Sequence, residues 1–178
     1  MKEALGDLWT FEDPDAVAIT TNGYVRSDGR AVMGRGCAAE ATRRYNGIER
    51  IMGRAIKNYG NIPALIIPHP AQPILLSFPV KPSEVVFDGS NLVPHMRDKY
   101  SAGDVVPGWA ALADLNLILS SSEKLRVLCN SLRLLRINIP RAGCGAGGLD
   151  WGVVGPLLHK ILDDRFTSIT SGRSPVTA

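Results

Sequence analysis

Apolar positions along the chain fall into short runs that alternate between strand-like and helix-like spacing. Ala16-Val17-Ala18-Ile19-Thr20-Thr21 is β-rich and predicts a buried strand ending at Asn22-Gly23. Helix formers follow in Cys37-Ala38-Ala39-Glu40-Ala41-Thr42-Arg43-Arg44-Tyr45, and residues 48–59 place Ile48, Ile51, Met52, Ala55 and Ile56 on one helical face. Residues 64–68 and 73–80 are apolar runs suited to strands, with a turn at His69-Pro70-Ala71-Gln72. Residues 82–108 carry three prolines and three glycines with no clean period, and are expected to form a surface insertion of the kind used as lids or binding loops. From 110 to 132 the leucines return at helical spacing, with a helix restart expected near Ser120-Ser121-Ser122-Glu123. A buried strand over 134–139 and an amphipathic helix from Trp151 to about Phe166 complete the pattern. The expectation is one α/β domain over residues 1–166, followed by a flexible tail over 167–178.

Between the last strand and the last helix lies Ile139-Pro140-Arg141-Ala142-Gly143-Cys144-Gly145-Ala146-Gly147-Gly148-Leu149-Asp150-Trp151. Four glycines in six residues let a backbone approach a ligand closely, and unpaired amides beside a helix N-terminus suit a phosphate or diphosphate. The same glycines would also serve a plain αβ connection. The spacing fits neither the dinucleotide fingerprint nor the P-loop. Met33-Gly34-Arg35-Gly36 is a second glycine loop feeding a helix. Two such loops on one sheet would face each other at the carboxyl ends of the strands, where open α/β sheets bind ligands. Lys81 follows a strand directly and stands at the same rim.

At 178 residues, 45% hydrophobic and 21% charged, the chain has ordinary globular composition, and neither disorder nor a membrane is favoured. A cytoplasmic location is expected, since no charged-then-apolar N-terminal segment is visible. Cys37, Cys129 and Cys144 are odd in number and widely spaced, which points to reduced thiols. His69, His95 and His159 show no metal-ligand spacing, and neither a metal nor a cofactor is expected. The net charge is only +3, but residues 26–57 hold eight basic side chains against three acidic ones. That segment is either a solvated helical face or an attractor of anionic ligands or nucleic acid.

Four stretches, in this order, resemble the macrodomain family of ADP-ribose-binding modules. They are similar above all to its ADP-ribosyl glycohydrolase branch, which includes bacterial antitoxin domains acting on DNA, and also to macrodomain-like proteins of phages. Gly6-Asp7-Leu8 resembles the family's opening motif. The resemblance implies that Asp7 accepts a hydrogen bond from the adenine amino group, with Leu8 or Trp9 supplying an apolar surface. Asn22 matches the second asparagine of an Asn-Ala-Ala-Asn strand end and implies contact with the distal ribose; Ile19 stands where the first asparagine belongs. Gly34, Arg35, Gly36 and Cys37 resemble the first diphosphate loop. Gly143, Cys144, Gly145, Ala146, Gly147, Gly148, Leu149 and Asp150 resemble the second, including its Leu-Asp-Trp ending.

What the resemblance implies is a three-layer α/β/α fold with a central mixed sheet, binding ADP-ribose or an ADP-ribosylated macromolecule such as DNA. Lys81 matches a strand-end lysine thought to attack or stabilise the anomeric carbon; its other role is a charge that grips phosphate or ribose. The protein-directed relatives carry an acidic residue within the second loop, where this chain has Ala146-Gly147-Gly148. Asp150 is the nearest carboxylate, and capping of the last helix is an equal role for it. Cys144 has no histidine paired with it in sequence, which favours a packed thiol over a nucleophile. Three functions remain: a glycohydrolase, a non-catalytic reader of ADP-ribose or a related nucleotide signal, and a flavodoxin-like nucleotide enzyme that would need a metal or ribose clamp not found here.

Overall fold

The structure, a computed structural model, describes residues 1–171. Its strands are β1 (Lys2–Leu5), β2 (Ala16–Asn22), β3 (Leu65–Ile67), β4 (Ile74–Lys81), β5 (Glu84–Val86), β6 (Val105–Pro107), β7 (Ile137–Pro140) and β8 (Phe166–Thr170). The helices are α1 (Gly36–Arg44), α2 (Ile48–Tyr59), α3 (Leu115–Ser131) and α4 (Trp151–Ile161). Six strands make one mixed sheet in the order β1-β8-β7-β2-β4-β3, parallel except where β3 meets β4.

The strand β2 shows why there are three layers. Its residues are all apolar up to Ile19, and successive side chains point to opposite faces. Ala16 and Ala18 enter a core shared with α3 and α4, including Ile118, Leu125, Val154 and Leu158. Val17 and Ile19 enter the opposite core with Ala38, Ala41, Ile48 and Met52 of α1 and α2. Helices therefore cover both faces of a mixed sheet, as expected.

Several elements differ from the expectation. The strand β1 escapes the pattern because it is a short edge strand of mostly exposed residues. The helix α3 runs unbroken through Ser120-Ser121-Ser122. Ser120 and Ser122 donate back to the carbonyls of Leu117 and Ile118 (3.1 and 2.7 Å), so these hydroxyls serve the existing helix and do not restart it. The cap lies earlier, at Asp114, which accepts from the Leu117 amide at 3.1 Å. The last helix ends at Ile161, not near Phe166. Asp163 there accepts from the backbone and guanidinium of Arg165, and Phe166–Thr170 becomes β8, paired on both sides between β1 and β7. The tail expected from residue 167 is thus a strand as far as Thr170, and the remainder from 172 lies outside the described residues.

The 82–108 stretch is folded. Strands β5 and β6 pair antiparallel, 3₁₀ turns form at Pro94–Lys99 and Gly108–Ala110, and Phe87, Leu92, Val93, Met96 and Val106 make a small core of their own.

Candidate functional site

Every parallel strand of the sheet delivers its carboxyl end to one rim. There β1 leads to Gly6, Asp7 and Leu8, β8 ends at Thr170, β7 leads to Arg141, β2 ends at Thr20, Thr21 and Asn22, and β4 ends at Lys81. All of these line one cleft of about 1510 Å³. The glycine loops form its two walls. Gly34, Arg35, Gly36 and Cys37 enter from α1, and Gly143, Cys144, Gly145, Ala146, Gly147, Leu149 and Asp150 from the loop before α4. Such an edge is where an open α/β sheet leaves room for a ligand.

In the first loop, Arg35 occupies the N-cap position of α1 with no side-chain cap, and the amides of Gly34, Arg35 and Gly36 have no acceptor among the described residues. A helix start of this kind carries unpaired N–H groups and a partial positive charge. A Cβ built on Gly34 or Gly36 would meet nothing within 4 Å, so both glycines leave space empty. The second loop is tighter. The Gly147 carbonyl accepts from the Ala113 amide (2.8 Å), and the Gly143 carbonyl accepts from the Leu149 amide (3.0 Å). The amides of Gly145, Ala146 and Gly147 have no acceptor among the described residues, and a Cβ on Gly145 would meet nothing within 4 Å.

Lys81 stands between these walls. Its register partner on β2 is Asn22, across a bulge that shifts the pairing after Thr21. Nζ donates to the carbonyls of Ala146 (2.9 Å) and Trp109 (3.2 Å), and the residue is 8% exposed. Burial, with Arg35 as the nearby positive charge, lowers its pKa to about 8. The amine is therefore near balance between its two protonation states at mildly alkaline pH.

No protein-family model matches the sequence, and no curated protein is similar to it in sequence. Solved structures do match. The macrodomain of DarG from Mycobacterium tuberculosis superposes with a TM-score of 0.67 at 22% identity, covering 97% of each chain. The macrodomain of DarG from Thermus aquaticus gives 0.67 at 19% identity, covering 94% of this chain and 95% of that one. DarTG from Thermosipho africanus in complex with ADP-ribose also gives 0.67 at 19% identity, and there the match covers 98% of this chain and 43% of the other. The fold is that of a macrodomain.

Within this macrodomain fold, the predicted site residues converge on the cleft, except Gly148. Gly148 is exposed, has φ +76°, and turns the loop by donating to the Gly145 carbonyl at 3.1 Å. Asp7 accepts from the Trp9 amide (2.8 Å) through one oxygen. Its turn is pinned from below by Asn138, whose Nδ2 donates to the Leu8 and Phe11 carbonyls at 3.1 and 2.9 Å. Asn138 is a lone amide inside an apolar run, a signal that marks a buried polar anchor. Trp9 does not line the cleft. It is buried, donates to Glu40 at 2.7 Å, and lies under the Arg44 guanidinium. Leu8 alone of that pair borders the cleft.

Asn22 is fixed by both ends of its amide, donating to Val32 (2.8 Å) and accepting from Tyr24 (3.0 Å). Asp150 caps α4 by accepting from Gly152 (2.9 Å). Both thiols are held in the neutral form. Burial raises the pKa of Cys37, which contacts Thr20, and burial lifts that of Cys144 to about 11. Neither is an activated nucleophile.

Of the basic segment, Arg35, Arg43 and Arg44 border the cleft, while others face solvent, as Arg30 does in its pair with Asp28. The 82–108 stretch, expected as an insertion of the lid or binding-loop kind, borders the cleft through Val93, Met96, His95 and Lys99, with Trp109 just beyond it, residues that sequence reasoning did not single out. It also missed Arg141 and Trp151, which stack with 5.3 Å from guanidinium carbon to ring centroid and are tied together by Glu3. Among the described residues no group of three or more His, Cys, Asp or Glu side chains could hold a metal ion, and no helix is long and apolar enough to cross a membrane.

Proposed function

We propose that the chain binds ADP-ribose in this cleft and hydrolyses ADP-ribosyl linkages on nucleic acid or protein, with Lys81 as the acting group. The observation that carries the reading is the position of Lys81. It lies buried at the strand rim beside Asn22, between two loops whose free amides suit a diphosphate. One of the structures that this fold matches, DarTG from Thermosipho africanus, is a complex with ADP-ribose. Asp7, at the other end of the rim, keeps one carboxylate oxygen for an adenine amino group.

In the reaction, the Nζ lone pair would form a bond to the anomeric carbon as the glycosidic bond breaks, its electron pair leaving with the acceptor nitrogen or oxygen. Water then releases the sugar and restores the amine. Only the neutral amine can attack, so turnover should rise with pH through about 8, where Lys81 loses its proton.

A second reading is a non-catalytic reader of ADP-ribose or a related nucleotide. It is favoured by the two carbonyls on Nζ, which also suit a permanently charged lysine that grips its ligand.

Calorimetric titration with ADP-ribose tests the binding claim. Wild type should bind, and Gly145→Glu, which fills the open space at the second loop, should not. No heat from wild type would sink the proposal. Hydrolysis assays on ADP-ribosylated DNA and protein then separate the two readings. Lys81→Ala should abolish turnover and spare ADP-ribose affinity in an enzyme, whereas in a reader it should only weaken binding.

A further inference from the structure

Lys81 is held from more directions than a solvent-facing lysine requires. Its main-chain carbonyl accepts from Asn61 Nδ2 (2.9 Å) and from the Gly23 amide (3.2 Å). The preceding residue, Val80, accepts from the Asp114 amide at 2.9 Å. Immediately beyond, Ser83 accepts from the Gly108 amide at 2.7 Å, and Gly108 lies so close that a Cβ there would overlap the Pro82 carbonyl. That close approach brings the next residue, Trp109, over the end of β4, where its carbonyl receives Nζ. The second acceptor, Ala146, comes from the glycine loop on the other wall. Nζ forms no ion pair among the described residues, so two neutral carbonyls are its partners.

An amine nitrogen has four directions. One is its bond to carbon. In the neutral form two are N–H bonds and one is a lone pair, while in the ammonium form all three are N–H donors. Two carbonyl acceptors in fixed places use two donors and leave one direction over.

We infer that the Trp109 and Ala146 carbonyls form a positioning pair that turns the one remaining direction of Nζ into the cleft. This rests on the reading of Lys81 as the acting group. Neutral, Lys81 presents its lone pair there; protonated, it presents an N–H. The stretch from Pro82 to Ala110 is then part of the working site, since it leaves β4 directly after Lys81 and returns to hold that residue's tip. Trp109 acts through Lys81 and is a positioning residue whose backbone, not its indole, does the positioning.

The test pairs kinetics with a readout independent of turnover. Gly108→Ala forces the turn away from Pro82 and takes the Trp109 carbonyl with it. The kcat should fall on the order of 10²-fold, as expected for a displaced reacting group, while ADP-ribose affinity stays within about twofold. In ¹⁵N-labelled wild type at mildly acidic pH, a lysine ammonium held by two carbonyls should give a resolved Nζ–Hζ correlation, assigned by its loss in Lys81→Ala. Gly108→Ala should shift or erase it.

An unchanged correlation with unchanged kcat overturns the inference, as does a loss of affinity equal to the loss of kcat. If Gly108→Ala does not fold, Asn61→Ala removes one donor to the Lys81 carbonyl without adding volume. It should lower kcat severalfold at unchanged affinity, and an unaltered kcat in that variant counts against the pair. If wild type turns over no ADP-ribosylated substrate, the hydrolase reading falls. The clamp is then judged by the Lys81 correlation, whose absence in wild type refutes it.

Discussion

The two glycine loops face each other across one cleft, yet their glycines do different work. In the first, Gly34 and Gly36 border open space, and the start of α1 has no side-chain cap. In the second, Gly143 and Gly147 are packing residues. A Cβ on Gly143 would press on Ile118 and Ala113 at 2.7 and 3.0 Å, and one on Gly147 would strike Ala113 and the Gly143 carbonyl. Asp150 already occupies the start of α4. The first loop thus offers an anion the open end of a helix dipole, whereas the second offers three loop amides ahead of a helix whose end is closed. Similar composition conceals two different arrangements of free amides.

Open and packed glycines should separate most sharply under substitution. Gly34→Glu and Gly145→Glu place a carboxylate in empty space beside free amides. Each should lower ADP-ribose affinity by about 10²-fold or more, equivalent to about 3 kcal/mol, with the melting temperature preserved. Titration and thermal melts read the two quantities, and a matching loss of stability would erase the distinction. Gly147→Ala should behave in the opposite sense, costing about 1–3 kcal/mol of folding stability by overpacking against Ala113. Gly145→Ala should be close to neutral in the same denaturant titration.

The difference at the helix ends predicts a smaller effect. Asp150→Ala removes a cap worth about 1 kcal/mol, whereas Asp150→Asn keeps the cap and removes only the charge. The Asn variant should therefore melt like wild type and bind ADP-ribose severalfold more tightly. An unchanged dissociation constant would mean that the Asp150 charge is not felt at the second loop.

Lys81 links the two loops, with the Arg35 charge on one side and the Ala146 carbonyl on the other, and it predicts a dependence on pH. Its folded pKa of about 8 lies below its ordinary value of 10.5, so the unfolded chain binds more protons between those limits. Its contribution to stability should then rise with pH across that window and be flat below it. Lys81→Met should remove this rise from denaturant titrations of the ligand-free protein. A slope identical to wild type would show that the lysine is not desolvated.

The legible parts of this molecule are those whose chemistry is local. The strand β2 announces itself by a short run rich in Val, Ile and Thr, and the glycine loops by composition at strand–helix junctions. Asn22 and Lys81 stand at strand ends that the apolar runs located, and the parallel register brings them side by side. What escaped was decided by distant partners. The strand β8 reads as a polar tail because its Thr167 and Ser168 are buried only by neighbours on both sides. The wall of Val93, Met96 and Trp109 comes from a proline-rich stretch whose small core has no period to betray it. The division of labour between Gly145 and Gly147 depends on Ala113, more than thirty residues away in sequence.

The place of β8 also sets an order of assembly. It is the last described strand in the chain, yet it fills the gap between the second residue's strand, β1, and the sheet centre. During vectorial synthesis β1 precedes the other strands of the sheet and must wait, unpaired, until β8 has left the ribosome. The β2–β4–β3 half and the first glycine loop can form early. The Asp7 corner, seated on β1 and bordered by Thr170, is the last to close. A nascent chain halted before Phe166 would carry both glycine loops and Lys81 but no finished seat for Asp7, so the cleft matures only once β8 has been made.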